Sequence, residues 1–367
     1  MRARVRNCHI LEMLRAQKRP HISFHTPGHK RAGADITELS YSDNLLSPRG
    51  VIARAEEDIA GITGAYRAFL LADGSTSGVH SMLLALREAG IGRVAYPAFC
   101  HKSVKDACYL FGLKGREIAS SRVPYPRQPS LSAIEEALTG AEALLLTSPD
   151  YYGNFPPLKE VAALCRAQNK PLVLDGAHGA HLYGTEFYAG NFAQMWVDGA
   201  HKSLPALTQG AAVFAADAFW ADKLASSVVR CRTTSPSYPI LASVEYAYKY
   251  PRSEGLVREA EAWKRRLGAE ENADWTKLLV PFGSECDRAE AFLERRGIYP
   301  EFNDGNFLMF YLSPCTKGRE LARLGRLIGK LPRGPIAAAE ASQGIPAGRT
   351  VWLAPEEAVG RICAQEC

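Results

Sequence analysis

Two short runs decide how this chain folds: PLVLD (Pro171–Asp175) and MWVDGAHKS (Met195–Ser203). Each opens with a few apolar residues, the length of a buried strand rather than a helix. Each then gives out at an ionisable side chain, and a charge is costly to bury without a partner. Asp175 ends the first run, and Lys202 stands 27 residues further on (175 to 202). A pass outward from these runs finds the same alternation. Helical periodicity over 51–63 precedes a strand at 68–71, and a helix over 79–89 precedes a strand at 93–96. Further helices are predicted over 101–112, 131–138 and 157–168, with strands at 143–147, 171–174, 195–197 and 211–214. Short apolar strands alternating with helices predict an α/β fold, a mostly parallel sheet covered by helices on both faces.

Outside this core the texture changes. Residues 9–18 read as a short amphipathic helix, and 21–50 as a long ordered loop rich in Gly, Pro, His and Ser. Loops of that length in compact domains are usually functional. After about residue 265, strands at 278–281 and 307–312 and a helix over 317–330 suggest a smaller α+β unit. A Gly/Pro/Ala-rich connection from 332 to 348 and a last helix over 355–365 follow. The expected division is 1–50, 51–265 and 266–367, in keeping with the soft length prior of two domains.

Composition excludes several classes of function. Of the 367 residues 47% are hydrophobic and 23% charged, and the net charge is +5. That is ordinary globular composition. The basic clusters Arg2-Arg4-Arg6 and Lys264-Arg265-Arg266 lack the aromatic interleaving of a nucleic-acid binder, so no nucleic-acid partner is expected. No apolar run nears the roughly 20 residues of a membrane span, and no leader-type apolar segment follows the Arg-rich start. Nine cysteines at irregular spacing argue for reduced thiols and a cytoplasmic setting.

The chemistry collects at the strand ends, where ligands of open α/β sheets sit. Gly74-Ser75-Thr76-Ser77-Gly78 follows a strand and opens a helix, whose free N–H groups suit a phosphate. His101 follows the strand at 93–96. A strand-end aspartate, a strand-end lysine one βα unit later and an upstream phosphate cradle fit pyridoxal phosphate. The lysine then forms the Schiff base and the aspartate keeps the ring nitrogen protonated. Each part also has a plainer reading: Lys202 as a loop lysine, Asp175 as a helix cap, His101 and His178 as hydrogen-bonded interior histidines. Asp175, His178 and His181 share a metal-like D-x-x-H-x-x-H spacing, but no further ligand cluster accompanies it, and no metal is expected. Cys100 beside His101 invites a nucleophile reading that sequence adjacency argues against.

The sequence resembles the Orn/Lys/Arg decarboxylases, pyridoxal-phosphate enzymes of the aspartate-aminotransferase-like fold. The resemblance rests on FHTPGHK (24–30), TELSYSDNLLSPRG (37–50), DGSTSG (73–78), CHKSV (100–104), SPDYYG (148–153), LDGAHGAH (174–181), AHKSLPALTQG (200–210) and TSPSYPILASVEYA (234–247). It implies Lys202 as the Schiff-base lysine, Asp175 on the pyridine nitrogen, His101 stacked on the ring and His178 near the 3-hydroxyl. It also implies His201, Ser75, Thr76 and Gly74 around the phosphate. The expected activity is α-decarboxylation of a small basic amino acid (arginine, lysine or ornithine) to a polyamine precursor, by a homodimer or higher homo-oligomer. Three departures stand out. Gly199 and Ala200 replace the family's Ser-Thr, removing a phosphate-binding hydroxyl. Ala98-Phe99 replaces an Arg-Asn type pair. The chain stops at Cys367, where the family continues, so a shortened small domain is expected. Other pyridoxal-phosphate chemistry (transamination, aldol cleavage, another lyase step) is the alternative, as is a degenerate homologue that regulates an active partner.

Overall fold

Helix α1 (His9–Ala16) and helix α2 (Val51–Thr63) lead into strand β1 (Arg67–Leu71) in the computed structural model, which describes residues 7–16, 22–30, 33–121 and 125–336. The alternation then runs through α3 (Ser75–Glu88), β2 (Arg93–Pro97), α4 (Lys102–Leu110), β3 (Lys114–Ile118), α5 (Leu131–Leu138), β4 (Ala143–Thr147), α6 (Leu158–Ala167), β5 (Leu172–Gly176) and β6 (Met195–Asp198). The single turn α7 (Ala200–Ser203) and β7 (Ala211–Ala215) complete the sheet. The seven strands lie in the order β1-β7-β6-β5-β4-β2-β3. Strands β2 to β6 pair in parallel, while β7 is antiparallel to both its neighbours. Strand β1 therefore runs the same way as β6. The carboxyl ends of β1, β2, β4, β5 and β6 all reach one edge, with Thr147 opposite Asp175 and Gly176 opposite Asp198.

The strands are apolar throughout because both faces are covered. Leu144, Leu146, Leu172, Leu174, Trp196 and Phe214 face one core, shared with α1, α2 and α9 (Tyr238–Tyr248). Leu145, Val173, Val197 and Val213 face the other, shared with α3, α4 and α8 (Ala218–Cys231). This two-residue alternation is the strand period itself. Gly78 lets α3 lie close on the sheet, since a Cβ there would stand 2.5 Å from Val197 Cγ2.

Several elements depart from the sequence-based expectation; helices α8 and α9, for example, were not expected. Helix α3 begins at Ser75 rather than 79, so the serines and threonine are its first turn. Strand β3, KGREI, was not expected; it is an edge strand whose side chains are largely solvent-facing, and it lacks the apolar signal.

A second, antiparallel sheet, β8-β10-β9, is built from β8 (Lys277–Pro281), β9 (Phe302–Asn303) and β10 (Phe307–Tyr311). Helices α10 (Glu254–Leu267), α11 (Cys286–Glu294) and α12 (Gly318–Ile328) cover it. Ala260 and Leu267 of α10 face this smaller core, so a boundary at 265 falls inside that helix. The helix expected over 355–365 and the connection beyond Ile336 lie outside the described residues. Among the described residues, no helix is long and apolar enough to cross a membrane.

Candidate active site

The residues expected around the cofactor stand at the carboxyl ends of β1, β2, β5 and β6 or in the turns that follow. Gly74, with φ +86°, turns the chain from β1 into α3 and caps the helix without any side-chain bond to its first-turn amides. A non-glycine residue is strained at that φ. Ser75 and Thr76 therefore sit where backbone N–H groups and the helix dipole favour an anion. Ser77 turns away, its hydroxyl donating to Asp73 Oδ1 at 2.7 Å. The Gln209-Gly210 backbone ties this cradle to the lysine turn. Gln209 O accepts from Gly74 N at 2.8 Å, and Gly210 O accepts from His201 N at 3.0 Å. His201 Nδ1 also lies 3.0 Å from Gly210 O, which leaves the other ring nitrogen for a ligand.

Asp175 ends β5 and is only 3% exposed. Its one side-chain hydrogen bond among the described residues comes from Ala177 N at 3.1 Å. A buried carboxylate so sparsely paired calls for a cationic partner. His101 caps α4 with Nδ1 accepting from Ser103 N at 3.2 Å, and the residue is exposed. Burial lowers its pKa, opposed by Asp175 and reinforced by Lys202, so these charges bear on the imidazole. Lys202 lies on α7, part-buried, and burial lowers its pKa against the pull of Asp175 and Glu301.

His178 joins the two sheets of the molecule. Its Nε2 is 3.1 Å from Lys202 Nζ, and its Nδ1 is 3.1 Å from Lys277 Nζ and 3.3 Å from the Tyr311 hydroxyl. Burial and the two lysine charges hold its pKa far below the histidine range, so the ring is neutral. His181, three residues on, pairs with the buried Asp274 at 2.8 Å. His178 and His181 thus serve different partners, and the D-x-x-H-x-x-H spacing does not converge on one point. Elsewhere, His9, Asp58 and Glu245 cluster within ligand range of one another. Lys249 already fills that cluster with its ammonium, at 2.6 Å from Asp58 and 2.9 Å from Glu245. Burial pushes the Cys100 thiol up to about 12, which removes the nucleophile reading.

Four residues near the site were not singled out from the sequence. Lys277 and Tyr311 come from β8 and β10, and Glu301 precedes β9. Tyr151 sits in the SPDYYG turn, which Asp150 holds by accepting from Tyr152 N and Asn154 N at 2.9 Å each. Its ring meets His178 edge-on at 5.0 Å, and its hydroxyl donates to Glu301 at 2.9 Å. The available signal was Lys277 heading the apolar run Leu278-Leu279-Val280, the same kind of lysine at a strand end that marked Lys202.

The Gly199 departure has a steric cause. A Cβ on Gly199 would lie 2.5 Å from Ala177 O, so the β5 and β6 ends approach too closely here for a serine.

A family model described as the Orn/Lys/Arg decarboxylase major domain matches residues 16–274. The chain belongs to that family. It is 29% identical to the uncharacterized protein YaaO of Bacillus subtilis, with 86% of this chain and 76% of that one covered. The arginine decarboxylase of Halalkalibacterium halodurans is 29% identical, over 64% of this chain and 53% of its own. Among solved structures, the constitutive lysine decarboxylase of E. coli matches with a TM-score of 0.72 at 18% identity, over 89% of this chain and 60% of that one. The chain thus spans only a little over half the length of these two decarboxylases. The likeness to the lysine decarboxylase structure is one of fold, the aspartate-aminotransferase-like fold that the family resemblance implied.

Pyridoxal phosphate is the cofactor of this family, and the residues present fit it. An uncapped helix start, a buried, sparsely paired carboxylate and a part-buried lysine stand at or just after the carboxyl ends of β1, β5 and β6. Those are, respectively, donors for a phosphate, an acceptor for a protonated ring nitrogen and a nucleophile for an aldehyde.

Proposed function

We propose that this protein removes the α-carboxylate of a small basic amino acid as CO2, leaving the corresponding amine, a polyamine precursor. Pyridoxal phosphate, when bound, supplies the electron sink for the bond that breaks. The observation that carries this reading is the meeting of Lys202, Asp175 and His101 at one sheet edge, in a chain of the Orn/Lys/Arg decarboxylase family.

Each residue has a task set by its surroundings. Lys202, with its pKa lowered by burial, presents an amine that is more readily unprotonated and so able to bind an aldehyde carbon. Asp175, buried at the end of β5, would stabilise a protonated ring nitrogen. His101 covers the open side, and its neutral ring suits stacking better than a charged one. The amides of Ser75 and Thr76, with His201, hold the phosphate. Glu301 favours a basic substrate. Its carboxylate acts on Lys202 and Lys277 alike and is held toward the cleft by the Tyr151 hydroxyl. A cationic side-chain end is the natural counterpart of that acid. A homodimer is part of the proposal, and the exposed side chains of Ile22 and Phe24 on the loop before α2 are apolar surface suited to a partner subunit.

The test uses the purified full chain. Added cofactor should give an absorbance band that borohydride fixes covalently, with the label on the Lys202 peptide. CO2 release is then measured with arginine, lysine and ornithine. Lys202→Ala should lose both the label and turnover. A label on another lysine, or full turnover by Lys202→Ala, overturns the assignment. Turnover without CO2 release favours transamination or another lyase step.

A further inference from the structure

Lys277 is the second amine of the site, and nothing in the decarboxylation scheme so far uses it. Its side chain is 1% exposed. Its one side-chain hydrogen-bond partner among the described residues is His178 Nδ1, and its ammonium lies 3.2 Å from the Tyr311 ring centroid. Across the imidazole, Nε2 is 3.1 Å from Lys202 Nζ. The three groups form an unbroken amine–imidazole–amine chain, with hydrogen-bond distances at both joints. An ammonium can only donate to Nδ1, which places the imidazole proton on Nε2, aimed at Lys202.

We propose that Lys277 sets the charge of Lys202 through His178. When Lys202 is released as a free amine, His178 takes a proton from Lys277 at Nδ1 and gives one to Lys202 from Nε2. One N–H bond breaks and one forms at each end, so a single positive charge passes from Lys277 to Lys202. No other reactant is needed. When Lys202 rejoins the cofactor the charge returns. Lys277 acts through another side chain and is therefore a positioning residue. This rests on the reading of Lys202 as the cofactor lysine.

The surroundings make the two lysines compete for that charge. Burial lowers the pKa of Lys277 to about 7; Asp274, Glu301 and Asp150 oppose the fall, and Lys202 deepens it. The faces of Tyr311 and, further off at 5.9 Å, Tyr151 favour the charged form. His178 itself stays neutral between them. Two like charges joined through one ring in a water-poor site titrate as a pair, not independently.

The experiment follows lysine Cε signals by NMR against pH in the full chain without cofactor. In the wild type, Lys277 should titrate near neutrality, with a matching inflection in the Lys202 signal. A Lys277 that titrates above pH 10, or a Lys202 signal with no inflection there, overturns the proposal without any variant. Lys202→Ala should strengthen proton binding at Lys277 at least tenfold, whereas Lys202→Arg, which keeps the charge, should not. Equal shifts in both variants overturn it. In the loaded protein, Lys277→Arg keeps the charge and an N–H donor but gives up no proton near neutrality. It should bind cofactor normally yet lose at least tenfold in kcat, as Lys277→Met does. A wild-type kcat and pH profile in Lys277→Arg overturns the relay. If the wild type releases no CO2 from any of the three amino acids, the decarboxylase reading fails, while the NMR titrations still decide the coupling.

Discussion

Asp198 offers a direct measurement of how the lysine turn is held. It closes β6, four residues before Lys202, and is fully buried. Its Oδ2 accepts from the Tyr188 and Tyr248 hydroxyls at 2.9 Å each, while Oδ1 has no partner among the described residues. Burial raises its pKa from 3.8 to about 7 against the lowering effect of the two tyrosines. The folded protein therefore keeps this acid protonated well above the pH at which the unfolded chain ionises. A raised folded-state pKa stabilises the fold fully at low pH, and that stability drains away from about pH 4 until pH passes 7. Between pH 5 and pH 8 two of those units are lost, so this side chain alone should cost the wild type about 3 kcal/mol. Asp198→Asn keeps a carbonyl oxygen for both tyrosines and cannot ionise. Its level of stability will differ for packing reasons, but its slope should flatten by that amount. Urea midpoints of both proteins at pH 5 and pH 8 give the comparison, and Glu56, also raised by burial, cancels because it is common to both. Parallel pH dependence in the two proteins would refute the reasoning.

Two further substitutions probe the scaffold. Gly199→Ser restores the family's hydroxyl but places a Cβ against Ala177 O, so it should destabilise by about 1–3 kcal/mol and bring no gain in cofactor affinity; thermal melts and a cofactor titration check both halves. Arg232→Met strips the buried Glu56 of its cation, 3.8 Å away, and leaves Leu70 O and Leu45 O without that donor. A loss of about 3–5 kcal/mol is expected, and adding Glu56→Gln should return part of it in the same urea assay.

The sheet and the anchor residues were legible because their signals are local. A buried parallel strand is a short apolar run; Asp175 stands at the end of one and Lys202 on the turn that follows another. The chemistry that completes the site was not legible, because antiparallel pairing brings it from far along the chain. Tyr311 faces Lys277 only through the register of β10 on β8, and no spacing in the sequence announces that pairing. Strand β3 was hidden for a different reason: an edge strand facing water keeps polar side chains and loses the pattern that marks its neighbours.

The LDGAHGAH loop carries two histidines, and both of their partners, Lys277 and Asp274, lie in the short stretch that opens the second sheet. This has a consequence for the order of events at the ribosome. Asp175, His178 and Lys202 leave the tunnel first, before β7, which lies between β6 and β1, has been made. His181 and His178 then lack Asp274 and Lys277, which follow them by 93 and 99 residues, until the DWTK stretch has been made and has docked. A nascent chain arrested before that point would hold Lys202, Asp175 and His101 but neither Lys277 nor Asp274. Its capacity to capture the cofactor early would depend on whether the loop can hold its shape alone.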